Sequence, residues 1–492
     1  MYPLILALWV ILVGAYLNGP VGDPDLWWHI TVGRWIVANQ TLPHTDLWNA
    51  FSDGTVWRAY SWLHEVLYAL IETHFGIQGL WTAQLLLAIV MVGVFIDVFG
   101  RLAADRFVGV LLGTAVSVAC FQNFSLRPQT VVWLLFALAL LLAERISRGQ
   151  KVSRIVPSMI VVFSLWANSH ITFALGLVAM FLWIVQPGRI GVALCVSAVA
   201  FLGTLITPYM GGEWLTFFAK SGHPLSLTSI AEFQSATIMR YGAGLIVLMS
   251  ALLIAGFAKF PRFVPPGRLV LAALFVAGGA AVVKFIPFAA IVLAAVLAVL
   301  WRDVKASADP KEPEAGGLLT GVEKLRASLA WLPPVGVAFL LFSVVVVVIT
   351  RSRQQPLNTA LIPVAALDFV KQEKLPPPLL NDFGRGGYVM YRMSDARGEL
   401  SPEWKVPIDG RTNVNSPKIW SAYRAAVEGR AGWRELLELT RPNTIVWRRE
   451  SPFIEILKLT GEWREVFSSG SAQRGFVVLI RATGPAIEDR TS

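Results

Sequence analysis

The chain has 492 residues, 55% of them hydrophobic and only 15% charged, with a formal net charge of +10. Apolar content this high, laid out in long uncharged runs, excludes an ordinary soluble protein and predicts a polytopic α-helical membrane protein. The only cysteines, Cys120 and Cys195, lie in apolar runs, which excludes a disulfide framework or a Cys-rich zinc site; with no basic run interleaved with aromatics, the positive charge fits cytoplasmic loops and lipid rather than nucleic acid.

The first apolar run, residues 2–17, has no basic segment before it and no small-residue cleavage pattern, so it is expected to be a retained span rather than a signal peptide. Residues 22–65 follow at once. They hold His29, His44 and His64, the acids Asp23, Asp25, Asp46, Asp53 and Glu65, and six tryptophans. Polar residues this dense beside a span make either an interfacial cap or an active site. Asp23 precedes Pro24, a residue favoured at the first helical position, so a helix capped by Asp23 is expected over 24–38. On it Asp25 and His29 share a face at i, i+4, and a carboxylate there can orient the imidazole and raise its pKa. A turn at 42–46 and a second amphipathic helix over 56–74, carrying His64 and Glu65, complete the segment. The plainer alternatives are a cap for Asp23, an interfacial belt for the tryptophans and polar surface for His44 and His64.

Eleven apolar segments are expected to span: 2–17, 77–96, 107–120, 130–142, 155–166, 171–185, 190–206, 242–257, 269–283, 285–301 and 329–349. Several fall short of the ~20 residues a simple span needs, 130–142 and 155–166 most of all. With the N-terminus inside, the inner loops hold 15 Lys and Arg, whereas the outer segments before the tail hold six, namely Arg34, Arg58, Arg127, Lys220, Arg240 and Lys284. That bias fixes the orientation. Residues 21–76 then face outward, as do Arg127, Asn168, His170, Glu232, Arg240 and Lys284, and 207–241 forms a second long outer loop. Ionisable groups gathered at one membrane face suggest a site, although Arg240 or Lys284 alone reads equally as a snorkelling side chain. Residues 302–326 read as a flexible inner linker.

Residues 350–492 have ordinary soluble composition and are expected to form a small extracytoplasmic α/β domain, with 1–349 as the transmembrane module. Helices are expected over 365–374, 420–428 and 433–439, and strands over 388–393, 443–448, 463–467 and 476–481. The run Phe383-Gly-Arg-Gly-Gly387 lacks dinucleotide-fingerprint spacing and is expected to precede a strand. Arg411, in the turn Ile408-Asp-Gly-Arg411, is open to binding phosphate or carboxylate or to a purely structural turn.

One span, an acidic outward loop, many further spans and an outer C-terminal domain together make a plan that resembles the GT-C superfamily of membrane glycosyltransferases. In this sequence Asp23-Pro24-Asp25 stands where that superfamily carries acidic residues in its first outward loop. The resemblance implies a bacterial inner-membrane enzyme that moves a sugar from a polyprenyl-phosphate carrier to a glycan, lipid or protein acceptor at the outer face. It implies Asp25 as general base, with Asp23 beside it, or both acids on a divalent cation such as Mg or Mn. It also implies Arg127, Arg240 or Lys284 at the departing phosphate and His29 and His170 orienting acceptor or phosphate, with Asn168 and Glu232 lining the same face. A transporter or flippase and a non-catalytic envelope assembly protein are the alternatives. The transporter should show inverted repeats and midplane charges, and none is evident.

Overall fold

Backbone polar groups facing lipid or apolar side chains must satisfy one another, so the apolar runs fold as helices. In the computed structural model the described residues are 2–52, 54–221, 235, 242–307, 333–471 and 474–482. By contacts the chain divides into two units, one of Met1–Gly19 with Trp81–Gln355 and the other of Pro20–Leu80 with Pro356–Ser492. Residues 21–76, taken from the sequence as part of the transmembrane module, therefore group with the C-terminal segment.

The first unit is helical throughout its described residues. It comprises α1 (Tyr2–Leu17), most of α3 (Trp62–Ala103), α4 (Arg106–Cys120), α5 (Pro128–Ser147), α6 (Val152–Ala167), α7 (Phe173–Ile184), α8 (Ile190–Thr204), α9 (Gly212–Ser221), α10 (Ala243–Lys259), α11 (Pro266–Ala281), α12 (Ile286–Ser307) and α13 (Pro333–Ser352). Each expected apolar segment carries one of these helices. Among the described residues, four helices are long and apolar enough to cross a membrane, Trp62–Ala103, Arg106–Asn123, Pro128–Ser147 and Val283–Ser307, and the others are shorter. The core is built around α12, which is buried along most of its length and packs on α4, α5, α10 and α11. Its alanines Ala289, Ala290, Ala294, Ala295 and Ala298 let neighbouring backbones approach closely.

Segment 130–142 looked too short because Glu144 interrupts the apolar run. In the structure α5 runs on through Glu144 for 20 residues. The buried carboxylate accepts from Arg268 and Arg302, at 2.7 Å each, and from the Trp183 indole at 3.0 Å. Two guanidiniums on one carboxylate repay its desolvation, so the helix need not end there.

The second unit opens with α2 (Leu26–Asn39) and the first residues of α3. Gly76 breaks helical geometry inside α3 (φ 60°, ψ −157°). The stretch before it carries His64, Glu65, Glu72 and His74, ahead of the apolar segment expected over 77–96. The expected helix over 56–74 starts late, at Trp62, because residues 56 and 57 are used elsewhere: Val56 bridges Thr45, and the Trp57 N–H donates to the His44 carbonyl.

The C-terminal part supplies α14 (Val364–Gln372), α15 (Gly386–Met393), α16 (Pro417–Val427), α17 (Arg434–Thr440) and α18 (Pro452–Thr460) around a four-stranded sheet. Its strands are β1 (Leu379–Asn381), β2 (Thr444–Arg448), β3 (Trp463–Ser471) and β4 (Arg474–Arg481), in the order β1-β2-β4-β3. The β1–β2 pair is parallel and the other pairs are antiparallel. Three of the four expected strands form; residues 388–393 do not, and fold as α15. Tyr388, Val389 and Tyr391 favour strands in isolation, but the two glycines ahead of them serve close packing rather than a hairpin. A Cβ on Gly386 would strike the Ile408 carbonyl, and one on Gly387 the Pro24 carbonyl. The helix thereby lies directly against α2, with Trp27 edge-on to Tyr388 at 4.8 Å.

Candidate functional site

The polar residues of the first loop and the Ile408–Arg411 turn meet inside the second unit. At the start of α2, Asp25 occupies the cap position without a side-chain cap bond, and Asp23 accepts the Asp25 N–H through Oδ1 at 2.9 Å. The helix thus begins two residues later than expected, and Asp23 fixes the turn before it rather than capping it at Pro24. Gly410 lies directly over Asp25, for a Cβ there would strike Asp25 Oδ1.

His29 is 4% exposed and hydrogen-bonds through Nδ1 to Glu65 Oε1 at 3.2 Å. The carboxylate at this nitrogen comes from α3, 36 residues away in sequence. The two helices touch backbone to backbone at this level, since a Cβ on Gly33 would collide with the Glu65 carbonyl. Glu65 belongs to a polar stripe that begins just before α3. Ser61, His64, Glu65 and Tyr68 recur at helical spacing, and all four are buried. The rings of His29 and His64 lie 6.3 and 5.8 Å from that of Tyr68.

Arg411 is buried beside them. It donates Nε and Nη2 to the two oxygens of Asp409, at 2.9 and 2.8 Å, and Nη1 to Asp46 at 2.5 Å. Its guanidinium also lies over the rings of Trp57, at 5.0 Å, and Trp48, at 5.4 Å. Asp46 in turn accepts the Asn49 N–H, and Asn49 donates to Asn415, whose amide donates to the Asp409 carbonyl. Of the two readings of Arg411, ligand binding and a structural turn, the structure supports the second: its fork is filled by the chain's own carboxylates.

Burial sets the proton affinities here. It pushes the Glu65 carboxyl up to about 8, against a smaller opposing pull from Arg411. Burial lowers the His64 imidazole to about 4, so that ring is neutral at physiological pH. Burial also raises the Tyr68 phenol, with Asp23 adding to the effect. For Arg411, burial opposes the charge, but Asp409 and Asp46 outweigh it and the guanidinium is held charged.

The other expected site residues belong to the first unit. Arg127 is buried at the start of α5, immediately before Pro128. Asn168 ends α6 and donates its amide to the carbonyls of Ser164 and Ile206, at 2.8 Å each. His170 Nδ1 lies 3.0 Å from the Thr172 hydroxyl, and Lys284 sits in the 3-10 turn before α12. Asn168 also borders a corner the sequence reading passed over, where buried Glu213 accepts from Thr207 and the Trp214 indole donates to Thr204. Glu232 and Arg240 lie outside the described residues. Among the described residues no three His, Cys, Asp or Glu side chains converge as ligands for a metal ion.

This mostly helical chain, with its apolar helices, acid-rich first loop and small C-terminal sheet, is similar in fold to a solved oligosaccharyltransferase. The chain is similar to the crystal structure of the Archaeoglobus fulgidus oligosaccharyltransferase tethered with an acceptor peptide containing the NVT sequon, at 12% identity and a TM-score of 0.53, over 92% of this chain and 69% of that one. Against the apo form of the same enzyme the values are 10% and 0.50, over 99% and 75%. ArnT from Cupriavidus metallidurans bound to undecaprenyl phosphate aligns at 13% and 0.45, over 98% of each chain. At these identities the likeness is one of fold. No family model matches the sequence, and neither does any curated protein.

Proposed function

We propose that this protein is a membrane glycosyltransferase that moves a sugar from a polyprenyl-phosphate carrier to an acceptor at the outer face of a bacterial inner membrane. In this reading the eleven apolar segments span, and the unit built from 20–80 and 356–492 is extracytoplasmic. The observation that carries the reading is an acid-rich helix start, with Asp23 and Asp25 half-buried and His29 buried, in the first loop of a chain with an oligosaccharyltransferase-like fold. Function does not follow from fold alone; the site adds a carboxylate, an oriented imidazole and a charge network that holds the loop in place.

Inverting transfer needs a base at the acceptor hydroxyl and positive charge at the leaving phosphate. Asp25 takes the hydroxyl proton, and the acceptor oxygen attacks the sugar C1 as the bond to phosphate breaks. Arg127, Arg240 or Lys284 neutralises the departing phosphate, an interaction strengthened by low dielectric. His29 orients the acceptor hydroxyl and His170 the phosphate, and Asn168 and Glu232 are further candidates for binding. The acceptor is a glycan, lipid or protein. The test follows transfer from radiolabelled polyprenyl-phosphate sugars in membranes carrying Asp25→Asn or Asp23→Asn. Asp25→Asn should lower turnover on the order of 10²-fold at unchanged expression. Asp23→Asn keeps an oxygen for the Asp25 N–H and should retain most activity. Equal turnover for wild type and Asp25→Asn would remove this carboxylate from the mechanism.

A further inference from the structure

The parallel strands β1 and β2 end side by side. In open α/β sheets, ligands bind outside the carboxyl ends of such strands. Here those ends bring together Asp382, just after β1, Arg385 in the turn before α15, and Arg448, the last residue of β2. Asp382 is buried; its Oδ1 accepts the Gly384 N–H at 3.0 Å and its Oδ2 accepts from Arg448 Nε at 2.8 Å. Among the described residues Arg385 forms no ion pair. Its guanidinium lies over the Phe476 ring at 5.5 Å, its Nη1 makes only a long contact to the Gly384 carbonyl at 3.4 Å, and its Nε has no hydrogen-bond partner. Burial pulls this guanidinium below its ordinary proton affinity, and Asp382 offsets that only in part.

Two buried side chains of α16 pack beside the same turn. Trp420 stands edge-on to Phe383 at 4.7 Å, and its indole N–H has no acceptor. The Tyr423 hydroxyl accepts the Phe383 N–H at 3.3 Å, and its own hydrogen has no acceptor among the described residues. The unsatisfied groups of Arg385, Trp420 and Tyr423 are all donors, and unpaired donors are unfavourable unless a ligand brings lone pairs. Arg385 and Arg448 against Asp382 also leave a surplus of one positive charge, with Glu450 at the exposed rim, 3.9 Å from Arg448 Nη1.

We propose that Arg385 and Arg448, beside Asp382 at the carboxyl ends of β1 and β2, form a binding site for a singly charged oxyanion, a carboxylate or a phosphodiester, carried on a larger ligand. Guanidinium forks match the paired oxygens of either group. A surplus of one charge suits a monoanion better than a doubly charged phosphate ester. Partly buried Phe383 offers apolar surface to the body of the ligand. The proposal does not depend on the glycosyl-transfer reading.

The test uses the full-length protein in an uncharged detergent, so that no lipid phosphate competes. Ligand-observed NMR titrates glucuronate and dimethyl phosphate, with glucose as the neutral probe and methyl phosphate at pH 8 as the doubly charged one. Wild type should bind a monoanion in the millimolar range, methyl phosphate more weakly and glucose not at all. Arg385→Gln breaks no ion pair and should weaken binding on the order of tenfold or more at an unchanged melting temperature. Asp382→Asn keeps the oxygen for the Gly384 N–H but removes the opposing charge, and should tighten binding. Should Arg385→Gln fail to fold, the sign of the Asp382→Asn change decides. A preference for dimethyl phosphate assigns the site to a lipid phosphate and a preference for glucuronate to an acidic sugar; either supports the proposal. No binding by wild type, tighter binding of glucose or methyl phosphate than of both monoanions, unchanged affinity in folded Arg385→Gln, or unchanged or weaker binding in Asp382→Asn would overturn it.

Discussion

Replacing Arg411 with leucine isolates the force that ties the first loop to the C-terminal segment. The guanidinium is about 1% exposed and its partners Asp46 and Asp409 are fully buried. Leucine fills much of the volume but leaves both carboxylates without their counter-charge. Breaking one buried pair by removing a partner costs about 3–5 kcal/mol, because the remaining charge is stranded. The lost positions over Trp48 and Trp57 add about 0.5–2 kcal/mol each when desolvated. Since a domain has only about 5–15 kcal/mol in hand, Arg411→Leu should leave this unit close to its unfolding threshold. Arg411→Lys keeps the charge but cannot reproduce the three-pronged contact, and should be intermediate. The triple variant Asp46→Asn, Asp409→Asn, Arg411→Met removes every stranded charge and should recover much of the loss. Urea unfolding in detergent, followed by tryptophan fluorescence, reads the effect, because Trp48 and Trp57 lie 5.4 and 5.0 Å from the guanidinium. A midpoint for Arg411→Leu within error of wild type would refute the claim that this network holds the two segments together.

Gly33→Ala should destabilise by about 1–3 kcal/mol, because the new methyl meets the Glu65 carbonyl and must push α2 from α3; thermal melting checks this, and transfer activity should fall with it. Melting should also depend on pH from both sides. Glu65, raised to about 8, contributes stability that is full below its ordinary range near 4.5 and is lost as pH rises through 8. His64, lowered to about 4, contributes stability that is full above 6.5 and is lost as pH falls through 4. A melting series from pH 4 to 9 should therefore peak between these limits, and Glu65→Gln should flatten only the alkaline side.

Much of the fold was legible because membrane spans announce themselves locally. Each apolar run became a helix, since no other backbone satisfies its own hydrogen bonds in apolar surroundings. The short apolar runs within 443–448 and 476–481 likewise became the central strands β2 and β4. The importance of residues 22–65 could be read from the density of acids, histidines and tryptophans. What could not be read was who pairs with whom. Helical spacing put Asp25 and His29 on one face, but it could not show that His29 Nδ1 meets Glu65 on another helix. Residues 388–393 have strand-forming side chains, yet fold as a helix because Gly386 and Gly387 allow contact with a turn and a helix start distant in sequence. For Arg411 the sequence left both a ligand role and a structural turn open, and Asp46, 365 residues away, decides it by filling the fork. Periodicity, composition and charge bias act over a few turns and are written in the local sequence. Pairing across hundreds of residues depends on which backbones approach closely enough for burial to force polar groups together, and only the tertiary structure decides that.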